Sequence, residues 1–109
     1  MIRLAKEDDL EKVSQLEKEG HGHNGYPYFF FAQCLDFLSN NFRVKILDSE
    51  VIGFCLFSSC DNSKQTWILD LVITKSQHRK GFAEELIIDC ISNSKEEILL
   101  HVNPKESIG

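Results

Sequence analysis

The stretch from Leu69 to Leu86, LDLVITKSQHRKGFAEEL, runs from apolar residues into His78, Arg79, Lys80 and Gly81, then into a helical pattern. That succession can bind an anion. The first N–H groups of a helix have no partner within it and lie at the positive end of its dipole. They hold a phosphate without help from side chains. Gly81 lets a phosphate approach the backbone closely, Ala83 is small for the same reason, and Arg79 and Lys80 add positive charge. The chemistry this predicts is a pyrophosphate site. The same residues would also make an ordinary strand-to-helix turn with exposed basic side chains.

Other chemically capable residues are scattered. His21 and His23 flank Gly22, and two His at this spacing can grip a metal. A third ligand would have to be Asp36 or Asp70, brought in by folding. Without one they are plain loop histidines, and no metal is expected. Asp70 sits mid-strand among apolar residues; facing a cleft it would attract a cationic amine, facing water it would do nothing special. Cys34, Cys55, Cys60 and Cys90 make no C-x-x-C pair, so a zinc ribbon is not expected. Cys34, Cys55 and Cys90 lie in apolar runs and read as small buried hydrophobes in a reducing compartment. Tyr28-Phe29-Phe30-Phe31 and Trp67 read as packing residues. Lys6, Lys12, Lys18 and the glutamates near them read as a solvated helix face.

These residues need elements to position them. Ile2 and Leu4 alternate with polar residues, predicting a short strand. A helix follows, with Asp8 or Asp9 as N-cap, Leu10, Val13 and Leu16 on one face and Gly20 as its stop. Residues 20–27 read as a loop. A second helix spans Tyr28 to Ser39, lined by Phe31, Leu35 and Leu38 and widened by Phe30, Cys34 and Phe37. The period then changes to two. Phe42, Val44 and Ile46 alternate with Arg43 and Lys45 in a half-buried strand, Asp48-Ser49-Glu50 turns, and Val51 to Ser58 returns as its hairpin partner. Asp61-Asn62-Ser63 makes another turn. Trp67 to Thr74 is a nearly apolar, central strand. A helix opens at Gly81 with Ala83, Leu86, Ile87, Cys90 and Ile91 on its apolar face, and Ile98 to Val102 is a last strand. The order is β-α-α-β-β-β-α-β. Strands before and after one helix imply a parallel pair with a right-handed crossover; the hairpins imply antiparallel pairs. The expected fold is α+β, a mixed, mostly antiparallel sheet with helices on both faces.

Composition bounds the function. With 109 residues the chain is read as one domain, 1–109. A hydrophobic fraction of 42% predicts a packed core. A net charge of −5 argues against coating nucleic acid or an anionic membrane. No apolar run is long enough to span a bilayer, and MIRLAKEDDLEK lacks the apolar stretch of a secretory signal. The expectation is a cytoplasmic protein.

The strand–loop–helix segment resembles the acetyl-CoA motif of the GNAT N-acetyltransferases, Q/R-x-x-G-x-G/A. The matching positions are His78, Arg79, Lys80, Gly81, Phe82 and Ala83; Gly81 and Ala83 fit, while His78 stands where the family usually has Gln or Arg. IRLAKEDDLEKVSQLE resembles the family's first strand and helix, EVIGFCLFSS its third strand, WILDLVITKSQHRKGFAEELI its fourth strand and main helix, and LLHVNPKES its fifth strand. The ribosomal-protein alanine N-acetyltransferases are the most similar subgroup by look. The resemblance implies roles. The backbone of Leu71, Val72 and Ile73 would pair with the pantetheine arm of acetyl-CoA like an added strand, which a bulge in the strand permits. The amides from Arg79 to Glu84 would cradle the pyrophosphate. His101 stands where the ribosomal subgroup has a catalytic Glu, and a His can serve as base. Tyr26, Tyr28 and Asp70 would border the acceptor, an amine on a protein N-terminus or a small molecule. The family's usual C-terminal strands and acid Tyr would lie past Gly109, and an open edge on the fifth strand would invite a second copy to form a homodimer.

The function this implies is transfer of acetyl from acetyl-CoA to a primary amine by direct attack. A catalytically weak acyl-CoA-binding or regulatory module is the alternative, and a small interaction domain without ligand the plainest reading.

Overall fold

The computed structural model describes residues 1–60, 65–92 and 97–99. Within them the chain forms β1 (Ile2–Leu4), α1 (Leu10–His21), α2 (Tyr28–Phe37), β2 (Phe42–Leu47), β3 (Glu50–Cys60), β4 (Gln65–Ile73), α3 (Phe82–Ser92) and β5 (Glu97–Leu99). The strands lie side by side in chain order. β1 through β4 pair antiparallel, and β5 joins β4 parallel across the α3 connection. The expected order and the mixed, mostly antiparallel sheet are both present.

Each face of the sheet carries its own apolar cluster. On one, Leu10, Val13 and Leu16 of α1 and Phe31 and Cys34 of α2 pack on Phe42, Val44, Phe54, Leu56 and Val72. On the other, Ala83, Leu86 and Cys90 of α3 pack on Cys55, Phe57, Ile68, Leu71 and Ile73. Alternation along β3 and β4 feeds both clusters, so these strands are buried on both sides, as their continuous apolar runs require. Phe31, Phe42 and Phe54 form a ring cluster with centroids 5.4–6.2 Å apart, a spacing that favours tilted and edge-on contacts.

One irregularity shapes the site. Leu56 pairs with Asp70, but Phe57 pairs with Ile68, so Leu69 is an extra residue in β4. This is a bulge. It puts Ile68 and Leu71 on the same face although they are three apart, and it leaves Leu69 41% exposed. The bulge that the family resemblance called for is therefore present.

Several local expectations need correcting. α1 runs past Gly20 to His21, and the left-handed residue that ends it is Gly22, at φ 59°. Asp9 does not cap α1 with its side chain. Its carboxylate instead accepts from Lys6 N at 2.8 Å and from both terminal nitrogens of Arg3, at 2.7 and 3.0 Å. α2 ends at Phe37, which is exposed rather than part of the packing stripe, as is Ile91 on α3. Both lie past the edge of the sheet-facing arc. Lys45 is buried, because α3 covers its face of β2: its ammonium bonds Glu85 at 2.8 Å and sits 4.9 Å from the Phe82 ring centre. Glu17 is not on a solvated face; it is 1% exposed.

Candidate active site

The loop after β4 is held at both ends. Thr74 N donates to Ile52 O at 2.8 Å, fixing the end of β4 against β3. Glu19 at the end of α1 accepts from Lys75 N at 2.7 Å and from the Thr74 hydroxyl at 3.0 Å. The Lys75 N–H holds the Glu19 carboxyl below its ordinary range, with the Thr74 hydroxyl adding to it. A short 3₁₀ turn, Lys75–Gln77, follows. Arg79 then takes φ 65° and Gly81 φ 82°. A left-handed conformation costs an ordinary residue about 1 kcal/mol or more, and such strain gathers where a loop is shaped for binding. The two left-handed residues turn the chain so that α3 begins at Phe82, with Glu85 N bonded to Gly81 O at 3.0 Å. The earlier amides of α3 lack helical acceptors by construction. A Cβ at Gly81 would meet nothing within 4 Å, so the loop surface there is open. His78, Arg79, Lys80 and Gly81 are all exposed.

His78 turns back rather than outward. Its Nε2–H donates to Ile73 O at 2.6 Å, which fixes the tautomer and braces the loop on β4. Lys80 bonds the Gln77 side chain at 3.1 Å. Leu71, Val72 and Ile73 are buried, Leu71 and Ile73 toward α3 and Val72 toward α1. β5 pairs with β4 only at Gln65–Trp67 among the described residues. Phe82 is half-buried, Ala83 buried against the sheet and Glu84 exposed. The fold thus brings Leu71–Ile73 and His78–Glu84 together as one strand–loop–helix unit. His101 lies outside the described residues.

The opposite side of β4 meets the end of α1. Asp70 follows the bulge and shares its face with Val72; it is 4% exposed. His21 Nε2 stands 3.4 Å from Asp70 Oδ1 and 3.5 Å from Glu17 Oε1. The other Glu17 oxygen accepts from Tyr26 N at 2.9 Å, so Glu17 also anchors the loop between α1 and α2. Tyr26 stacks on Phe30 with centroids 4.1 Å apart. Tyr26 and Tyr28 are about half exposed. Sequence reasoning missed Glu17. The available signal was its position, one helical turn past Val13 and one before His21, on the apolar edge of α1.

A left-handed loop between a bulged strand and a helix N-terminus, on a mixed sheet covered on both faces, presents backbone amides that can hold an anion. A model of the acetyltransferase (GNAT) family matches residues 4–107, and the chain belongs to that family. An N-alpha-acetyltransferase of Saccharolobus solfataricus is 26% identical over 93% of this chain and 69% of its own length. The structure of Ard1 from Thermoplasma volcanium superposes with a TM-score of 0.84 at 19% identity, covering 95% of this chain and 72% of that one. The diaminobutyrate acetyltransferase of Paenibacillus lautus, solved with L-2,4-diaminobutyric acid and coenzyme A, gives 0.81 at 14% identity, over 95% and 66%.

Proposed function

We propose that this protein transfers acetyl from acetyl-CoA to a primary amine, on a protein N-terminus or a small molecule, by direct attack. The observation that carries this is the left-handed Arg79–Gly81 loop between the bulged β4 and α3, in a chain of this family. The amides from Arg79 to Glu84 hold the pyrophosphate of the co-substrate, with Arg79 and Lys80 adding charge. The backbone of Leu71, Val72 and Ile73 pairs with the pantetheine arm.

A primary amine with pKa of about 10 is mostly protonated at neutral pH, so a base must take its proton. His101 is our candidate. Of the two candidate backbone donors, Val72 N–H is turned to β3, so the N–H of Ile73 is the one free to donate to the thioester oxygen as negative charge develops there. The nitrogen–carbonyl bond forms, the carbon–sulfur bond breaks, and the thiolate leaves to be protonated. Tyr26 and Tyr28 wall the acceptor side, and Asp70 gives it an acidic floor that favours a cationic amine. A cytoplasmic location fits this chemistry, and no helix among the described residues is long and apolar enough to cross a membrane.

Calorimetric titration with acetyl-CoA tests the cradle. Saturable one-to-one binding is expected, lost in Arg79→Glu and Gly81→Asp. Binding unchanged in both variants refutes the assignment of the cradle. Thiol release with a panel of amines and N-terminal peptides then reads turnover, and His101→Ala should lower it while leaving acetyl-CoA affinity intact. Binding without turnover for any acceptor would favour the alternative, an acyl-CoA-binding module.

A further inference from the structure

We propose that Glu17, His21 and Asp70 form a binding site for a divalent transition-metal ion, zinc foremost. Glu17 and His21 lie one turn apart on α1, and Asp70 reaches them from β4, just past the bulge. One donor atom from each lies within 4.8 Å of the others. The side chains are 1%, 15% and 3% exposed respectively, so this is not a surface acidic patch.

The spacing is informative. Nitrogen and oxygen ligands sit about 2.1 Å from zinc, which puts neighbouring ligands of a tetrahedral shell about 3.4 Å apart. The His21 nitrogen stands 3.4 Å from one carboxylate and 3.5 Å from the other. Those distances are long for charge-assisted hydrogen bonds, which run to about 2.9 Å, and right for two edges of a ligand shell. The third edge closes by rotating a carboxylate about its broad terminal torsion.

Glu17 supplies an independent observation. Its Oε2 is held by Tyr26 N, while its buried Oε1 has no hydrogen-bond partner among the described residues and points at His21. An uncompensated buried carboxylate oxygen is costly. An imidazole with two carboxylates suits zinc and its neighbours in the transition series. The partly exposed His21 leaves a side for a water ligand. A bound ion would tie α1 to β4 and cancel the acidic floor beneath the acceptor side. The site rests on its own geometry and does not require acetyl transfer.

The test is titration of zinc alone into chelator-stripped full chain, in competition with a chromophoric chelator. One ion per chain at micromolar affinity or tighter is expected. Losing even a supporting partner of a ligand weakens metal sites by about tenfold or more. Glu17→Gln, His21→Gln and Asp70→Asn, each checked for folding by circular dichroism, should therefore each lose at least about tenfold, and His23→Gln should lose nothing. Cobalt loading of the unmutated chain should give the intense visible bands of a tetrahedral ion with no thiolate charge-transfer band. Three results overturn the proposal: no one-to-one complex with the folded wild-type chain, unchanged affinity in folded His21→Gln and Asp70→Asn, or a thiolate band placing the ion on a cysteine. The wild-type titration and the cobalt spectrum decide it even if every variant fails to fold.

Discussion

Gly53 tests how tightly β3 and β4 approach behind the proposed co-substrate strand. It pairs with Ile73 in the β3–β4 ladder. A Cβ placed on it would run into Ile73 Cδ1, and would lie 2.8 Å from Val72 O and 3.4 Å from Ile73 Cα. The methyl can swing away by a rotamer change; the carbonyl, locked in the ladder, cannot. Overpacking of this kind costs about 2 kcal/mol. Ala over Gly in a strand recovers roughly 0.5–1 kcal/mol of backbone entropy. The net loss for Gly53→Ala is then about 1–1.5 kcal/mol, or a Tm lower by about 5–10 °C for a domain of this size. Thermal unfolding by circular dichroism reads it directly. Adding Ile73→Val removes the δ-methyl but not the carbonyl, so the double variant should recover only part of the loss. A Tm equal to or above wild type in Gly53→Ala would refute the reasoning, because the entropy gain would then be acting without a clash.

Arg3 holds the Asp9 carboxyl below its ordinary range, with Lys6 N–H assisting. The pair therefore adds stability above the unfolded carboxylate value of about 3.9. That stability fades as pH falls through the lower folded value. Asp9→Asn should lose about 1–3 kcal/mol at neutral pH and show a flatter acid limb in denaturant titrations. Cys55 and Cys90 have sulfurs 3.3 Å apart, and that hydrogen bond, with burial, pushes the Cys55 thiol well above its ordinary value, while burial alone raises Cys34. Iodoacetamide at pH 8 should leave Cys34 and Cys55 unmodified in the folded protein and label both in denaturant, as peptide mass spectrometry would show. Phe37→Ser should change stability by no more than about 0.5 kcal/mol, whereas Leu86→Ala, at a fully buried position, should cost about 2–5 kcal/mol in urea unfolding.

The order of elements was legible because their periods differ. Leu10, Val13 and Leu16 keep a helical spacing, while Phe42, Val44 and Ile46 alternate. The loop between β4 and α3 was legible because Gly81 and the basic pair fall where a strand gives way to a helix. The bulge was expected only from the family resemblance; its place at Leu69 left no trace in the hydrophobic pattern, since WILDLVI is apolar on nearly every residue and a one-residue slip in such a run does not change it. The exposure of Phe37 and Ile91 was hidden for a related reason: an apolar stripe has a width that only the sheet beneath it decides. The juxtaposition of Glu17 and His21 with Asp70 depends on how α1 crosses β4, and residues so far apart in the chain carry no mutual spacing to read. Of Asp36 and Asp70, the two acids that folding could have delivered to the His21–His23 loop, it is Asp70 that reaches His21, and His23 stays exposed.

Leu69 is the one residue of β4 that the ladder with β3 does not use. Excising it would leave Leu56 opposite Asp70 and Phe57 opposite Ile68, with every side chain still on its present face. The chain could therefore lose Leu69 and keep both cores, its pairing partners and its melting behaviour nearly intact. What it would lose is the local bend beside which the proposed function places the thioester. Folding and chemistry ask different things of this strand, and a single-residue deletion separates them: a chain one residue shorter that is well folded and unable to hold its co-substrate.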